Sequence, residues 1–100
     1  MRKITREAVE AFEGGYKLNK QNMCVNDFGM FLHGHKIAEF ECVFKANSNN
    51  NINITLAGWN TNTTRERLNG LQGVRVTTKL GQAYLNGEKW GGEWITINRI

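Results

Sequence analysis

Few side chains in this sequence could bind a metal. The histidines and cysteines are His33, His35, Cys24 and Cys42. Zinc prefers paired ligands at close spacing, and His33 and His35 on a tight turn could place two imidazoles together. The two cysteines instead stand singly in apolar runs, where a thiol behaves as a small hydrophobic side chain. We therefore predict core-facing cysteines, turn histidines, and neither a metal nor a cofactor.

A catalytic histidine would need a carboxylate partner. His33 or His35 could act as a general base with Asp27, Glu39 or Glu41, because neighbouring strands can bring such groups together. The sequence contains no nucleophile elbow, no phosphate-binding glycine loop and no metalloprotease helix motif. We therefore predict that the protein is not an enzyme.

Positive charge is concentrated in residues 65–79. This segment holds four cations and one acid, Glu66, which is a local excess of +3 (4 − 1). The cations are Arg65, Arg67, Arg75 and Lys79. They could bind phosphates while Trp59 stacks on a base, which makes nucleic-acid binding one hypothesis. The alternative is a solvated basic face with Trp59 buried beneath a helix.

Three aromatic residues cluster near the C-terminus, at Tyr84, Trp90 and Trp94. Tryptophan and tyrosine are frequent hot spots of protein interfaces, and a small domain does not easily bury three tryptophans. These residues are therefore candidate contacts for a protein partner. The alternative is that they form the core.

Two helices are predicted to support these candidates. The first covers about Thr5–Glu13, with Thr5 as its N-cap and Gly14-Gly15 as its end. The second follows a capping box formed by Thr63 and Glu66, in which each residue satisfies a free amide near the helix start.

The remaining apolar runs alternate with a period of two, which is typical of strands. Strands are expected near residues 23–25, 30–32, 37–44, 52–58, 74–76, 83–85 and 94–97, and the asparagine-rich residues 46–53 are expected to form a loop. The order αββββαβββ predicts an α+β fold, with an antiparallel sheet of hairpins and meanders that carries both helices in a single layer.

Composition limits the classes of protein that remain. One hundred residues fit a single domain, 1–100, and the net charge of +4 is mildly basic. No apolar stretch approaches the roughly 20 residues of a membrane span. No export signal is visible, so we expect a cytoplasmic protein without a membrane partner.

The run from Ile54 to Gly70, which contains Trp-Asn-Thr followed by Thr-Thr-Arg-Glu-Arg-Leu-Asn, resembles a signature of small proteins of tailed bacteriophages. The resemblance extends to the Leu32-His33-Gly34 turn and to the hairpin 80–87. It implies a phage-encoded accessory protein in a bacterial cytoplasm, and it transfers no catalytic or binding residue.

These observations favour non-enzymatic binding of a host protein. Nucleic-acid binding through residues 65–79 is the rival hypothesis, and it would show a steep salt dependence. Homodimerisation is also open, because an edge strand such as Ile95–Ile97 could pair across a two-fold axis.

Overall fold

The computed structural model describes residues 2–41 and 51–99, which form an α+β fold with antiparallel sheets, as predicted. The predicted order αββββαβββ is observed with one additional short strand before the second helix and one after it. In chain order the elements are α1 (Lys3–Gly14), β1 (Leu18–Lys20), β2 (Met23–Asn26), β3 (Gly29–Leu32), β4 (His35–Phe40), β5 (Ile52–Ile54), α2 (Asn62–Asn69), β6 (Val76–Lys79), β7 (Gln82–Leu85), β8 (Glu88–Lys89) and β9 (Ile95–Ile97).

The described strands form two sheets, whereas the sequence predicted a single layer. The larger has the order β1-β2-β3-β4-β5-β9, and the smaller has the order β6-β7-β8. The prediction missed β1 and β8 because runs of three and two residues are too short to show alternation. Residues 42–44 of a predicted strand, and residues 46–50 of the predicted loop, lie outside the described residues. The predicted loop and the predicted strand overlap at residues 52 and 53, and the structure places both residues in β5.

Helix α1 packs against the larger sheet through a buried stripe at helical spacing. The stripe consists of Ile4, Ala8, Ala11 and Phe12. The helix ends at Gly15, which takes the left-handed conformation with φ 78°. It begins at Lys3 with Arg2 at the N-cap, so the predicted N-cap is wrong. Thr5 lies inside the helix and is buried.

Helix α2 begins after Thr61, whose hydroxyl accepts a hydrogen bond from the Thr64 amide at 3.2 Å. The predicted capping box of Thr63 and Glu66 is therefore wrong. The Glu66 carboxylate instead accepts a hydrogen bond from the hydroxyl of Thr5. A side chain assigned to a local cap thus links the two helices.

The β3–β4 hairpin positions one side of the site described below. Its two turn residues, His33 and Gly34, have φ values of 52° and 82°, as a two-residue turn between twisted strands requires. The register shifts within this strand pair, and Ile37 and Ala38 of β4 are consecutive yet both buried. Ile37 therefore faces the protein interior next to the turn.

Candidate binding cleft

A cleft of about 340 Å³ lies between the β3–β4 turn, the segment after β5 and the start of α2. Three buried apolar residues contribute to its lining: Leu32, Ile37 and Leu56. The other lining residues are His33, His35, Ala57, Trp59, Thr61, Thr63 and Thr64. Ligand pockets cover roughly 300–1,000 Å³. The cleft is therefore suited to one large side chain or a small ligand.

Trp59 and His35 form an aromatic wall of the cleft. Their ring centroids are 6.1 Å apart, and their planes are inclined by 42°. Ala57 and Gly58 have φ values of 53° and 85°, and the Trp59 amide donates to the Leu56 carbonyl at 2.8 Å. This tight turn keeps the indole out of the core. Trp59 is 56% exposed, so the alternative of a tryptophan buried beneath the helix is wrong.

Arg65 lies in α2 close to the threonines that line the cleft. Its guanidinium donates hydrogen bonds to the side-chain oxygens of Asn60 and Asn62. These acceptors are neutral, and no carboxylate of the described residues forms an ion pair with Arg65. The positive charge of this predicted contact residue is therefore available to a partner.

Arg67, another predicted nucleic-acid contact, faces the protein interior. It is only 6% exposed. Its Nη1 donates to the Thr5 hydroxyl at 2.8 Å and to the Glu66 carboxylate. This burial argues against a contact between Arg67 and phosphate, and its hydrogen bonds give it a structural role in joining α2 to α1.

Glu66 lies at the centre of this link between the helices. Burial would raise the pKa of Glu66, but hydrogen bonds from Thr5, the Arg2 amide and Arg67 outweigh that effect. Together with the Arg67 charge, they hold the pKa of Glu66 below its usual range. Folding therefore favours the ionised carboxylate.

The lowered pKa of Glu66 predicts a specific acid sensitivity. Its contribution to stability is complete above the unfolded-state pKa of about 4.3, and it is lost as the pH falls through the lower folded-state value. Between about pH 5 and pH 3, we expect the wild-type free energy of unfolding to fall more steeply than that of Glu66→Gln. Urea unfolding across this range measures both slopes. Glu7 and Glu39 also have lowered pKa values, but they affect both proteins equally. Identical slopes for wild type and Glu66→Gln would therefore contradict the lowered pKa of Glu66.

The other two predicted cations lie at opposite ends of β6. Arg75 precedes the strand, Lys79 is its last residue, and both are exposed. Four residue steps of an extended strand separate them by about 13 Å. The Gly81 carbonyl accepts a hydrogen bond from the Asn60 side chain at 3.4 Å, which places the Lys79 end beside the cleft segment. The four predicted cations therefore do not form one patch.

The three predicted partner aromatics occupy different environments. Trp90 is 3% exposed, and its indole N–H donates to the Glu93 carbonyl at 2.9 Å, so its assignment as a contact is corrected to core. Tyr84 is partly buried on β7. Trp94 is 48% exposed and borders an open depression on the larger sheet, next to Glu39.

The candidate metal and base residues are also dispersed. His33 and His35 are exposed, and neither hydrogen-bonds to a carboxylate within the described residues. Asp27 lies in the turn at the opposite end of β3. Within residues 2–41 and 51–99, no three histidine, cysteine or acidic side chains are placed to hold a metal ion. Cys24 is a free thiol that is only partly buried, whereas Cys42 lies outside the described residues.

The cleft was not predicted as a unit, because its lining residues come from separate segments. No contact role was predicted for Leu80, which is 99% exposed at the β6–β7 turn. One signal was available. Two-residue turns of this kind favour asparagine, aspartate or glycine at their first position, so Leu80-Gly81 is an unusual pair.

The structure is a small α+β fold with an open cleft whose lining includes buried apolar side chains. The family model described as "Kyanoviridae Gp96 protein" matches residues 1–99, and the chain therefore belongs to this family of cyanophage proteins. The predicted origin in a bacteriophage is confirmed by this family membership. No curated protein and no solved structure matches the chain. The described residues include no helix that is long and apolar enough to cross a membrane.

Proposed function

We propose that this phage protein is a non-enzymatic binding protein that contacts a host protein, in the host cytoplasm, through the cleft beside Trp59. The observation that carries the proposal is the indole itself. It belongs to a residue that is 56% exposed, and it borders a cleft lined by buried apolar side chains.

The arrangement resembles the centre of a protein interface. Binding energy concentrates where an aromatic residue is desolvated beside a pocket that a partner side chain fills. The lining residues include no acid, and interface centres are depleted of charge. The hydroxyls of Thr61 and Thr63 could satisfy polar groups at the edge of such a contact.

A protein partner fits the cleft better than a nucleic acid does. Binding along a phosphate backbone uses several exposed cations, each of which releases counterions. Arg67 is buried, and Arg75 lies at the end of β6 remote from the cleft segment. The aliphatic side chains of Leu32 and Ile37 match an apolar side chain, whereas an exposed base would stack mainly on the indole.

Capture from a lysate of a phage-susceptible cyanobacterium tests the proposal. Tagged wild-type protein, Trp59→Ala and Trp94→Ala are compared with and without nuclease treatment, and retained proteins are identified by mass spectrometry. Trp94, which the sequence suggested as a partner contact, represents the competing site, and it is the matched comparison because it is 48% exposed on a different surface. We expect wild-type and Trp94→Ala to retain the same host protein, and Trp59→Ala to retain about 30-fold less, since a hot spot contributes about 2 kcal/mol.

Two results would contradict the proposal. Retained material that disappears with nuclease would indicate nucleic acid as the partner. Equal retention by all three proteins would place the contact elsewhere on the surface. Circular dichroism melting of each variant ensures that the comparison is made between folded proteins.

A further inference from the structure

We infer that the partner presents an acidic segment with a large apolar side chain, which enters the cleft while its carboxylates pair with cations beside it. This inference rests on the proposed function and specifies the chemistry of the partner. It depends on the charges around the cleft and on the exposed Leu80 beside it.

Two cations near the cleft, Arg65 and Lys79, have no ion-pair partner among the described residues. None of the lining residues is acidic. Arg65 is bound only to neutral asparagine oxygens, and Lys79 is exposed without an ion pair among the described residues. The whole chain carries a net charge of +4. Such a surface attracts an acidic segment and repels a basic one.

The β6–β7 turn supplies a second apolar contact. Leu80 is 99% exposed and has a φ of 52°. A left-handed backbone is unfavourable for leucine, and full exposure gives its side chain no compensating burial. The hydrogen bond from Asn60 to the Gly81 carbonyl places this turn beside the segment that carries Trp59. A partner in the cleft can therefore cover Leu80 as well.

Panning a random dodecapeptide library against the immobilised wild-type protein tests this chemistry. We expect enriched peptides to carry aspartate or glutamate within a few residues of an aromatic or large aliphatic side chain. The Kd of a synthetic enriched peptide is then measured by fluorescence polarisation at low and high salt. The proteins compared are wild type, Trp59→Ala, Leu80→Asn, Arg65→Gln and, as the control, Trp94→Ala.

The variants should separate contact from folding. Trp59→Ala and Leu80→Asn should each weaken binding about 10-fold, whereas Trp94→Ala should change it less than about 2-fold. Arg65→Gln should weaken binding about 3-fold and reduce its salt dependence. Leu80→Asn should also raise the midpoint of urea unfolding, because asparagine accepts the left-handed conformation. Weaker binding by a more stable protein cannot be a folding defect.

Several outcomes would overturn the inference: peptides enriched in basic or uncharged residues, no enriched peptide, or binding unaffected by Leu80→Asn. The proposed function is tested separately. If Trp59→Ala loses the host protein in the lysate experiment while the peptides lack acidic residues, host-protein binding stands and only the acidic partner is wrong.

Discussion

Replacing Gly29 with alanine is expected to lower the free energy of unfolding by about 4 kcal/mol, which combines about 1–3 kcal/mol each from overpacking and backbone strain. Gly29 opens β3 with a φ of 142°, and a Cβ atom there would overlap the carbonyl oxygen of Ala38 in β4. This oxygen belongs to the backbone of the paired strand, so no side-chain rotation relieves the overlap. Strand β3 ends at Leu32, and the change should therefore also disturb the cleft.

Gly34→Ala is the matched control for Gly29→Ala. Gly34 also has a positive φ, 82°, but a Cβ atom there has no heavy atom within 4 Å. Only the backbone strain remains, so we expect Gly34→Ala to lower the free energy of unfolding by about 1 kcal/mol. Urea unfolding followed by far-UV circular dichroism measures both losses. Losses of equal size would contradict the close approach of β3 and β4 at Gly29.

Arg67→Ala is expected to lower the free energy of unfolding by about 3 kcal/mol. The change removes the partner of a largely buried ion pair, because the side chain of Arg67 is 7% exposed and that of Glu66 is 31% exposed. It also removes the hydrogen bond to the Thr5 hydroxyl, which connects the two helices.

Arg65→Ala is the control for Arg67→Ala, since the two arginines lie two positions apart on α2. The bonds of Arg65 to Asn60 and Asn62 are exposed, so the loss should stay below about 1 kcal/mol. Replacing Glu66 and Arg67 together should cost less than the sum of the single changes, because neither charge is then left without its partner. A loss for Arg67→Ala as small as that expected for Arg65→Ala would show that Arg67 is not a structural residue.

Local patterns predicted the elements of this fold better than their connections. The stripe from Ile4 to Phe12 and the glycines after it predicted α1 within a few residues, because both act within one or two helical turns. The predicted roles of Thr5 and Glu66 failed for the opposite reason. Each makes its decisive contact with a residue about 61 positions away, and no local spacing rule contains that contact.

The candidate site was predictable only in parts. Exposure of Trp59 depends on the turn at Ala57-Gly58, and the contact of its indole with His35 depends on how two segments meet. Burial separates Arg67 from Arg65 and Trp90 from Trp94, although each pair consists of identical residues close in sequence. Residue type identified candidates, whereas tertiary packing decided which of them reach the surface.

We propose that the cleft beside Trp59 binds a host protein. Isothermal titration calorimetry with the purified host protein from the lysate experiment tests it most directly, using wild type, Trp59→Ala and Trp94→Ala. We expect a Kd about 30-fold weaker for Trp59→Ala and changed less than about 2-fold for Trp94→Ala. Equal Kd values for all three proteins, or a loss confined to Trp94→Ala, would contradict it.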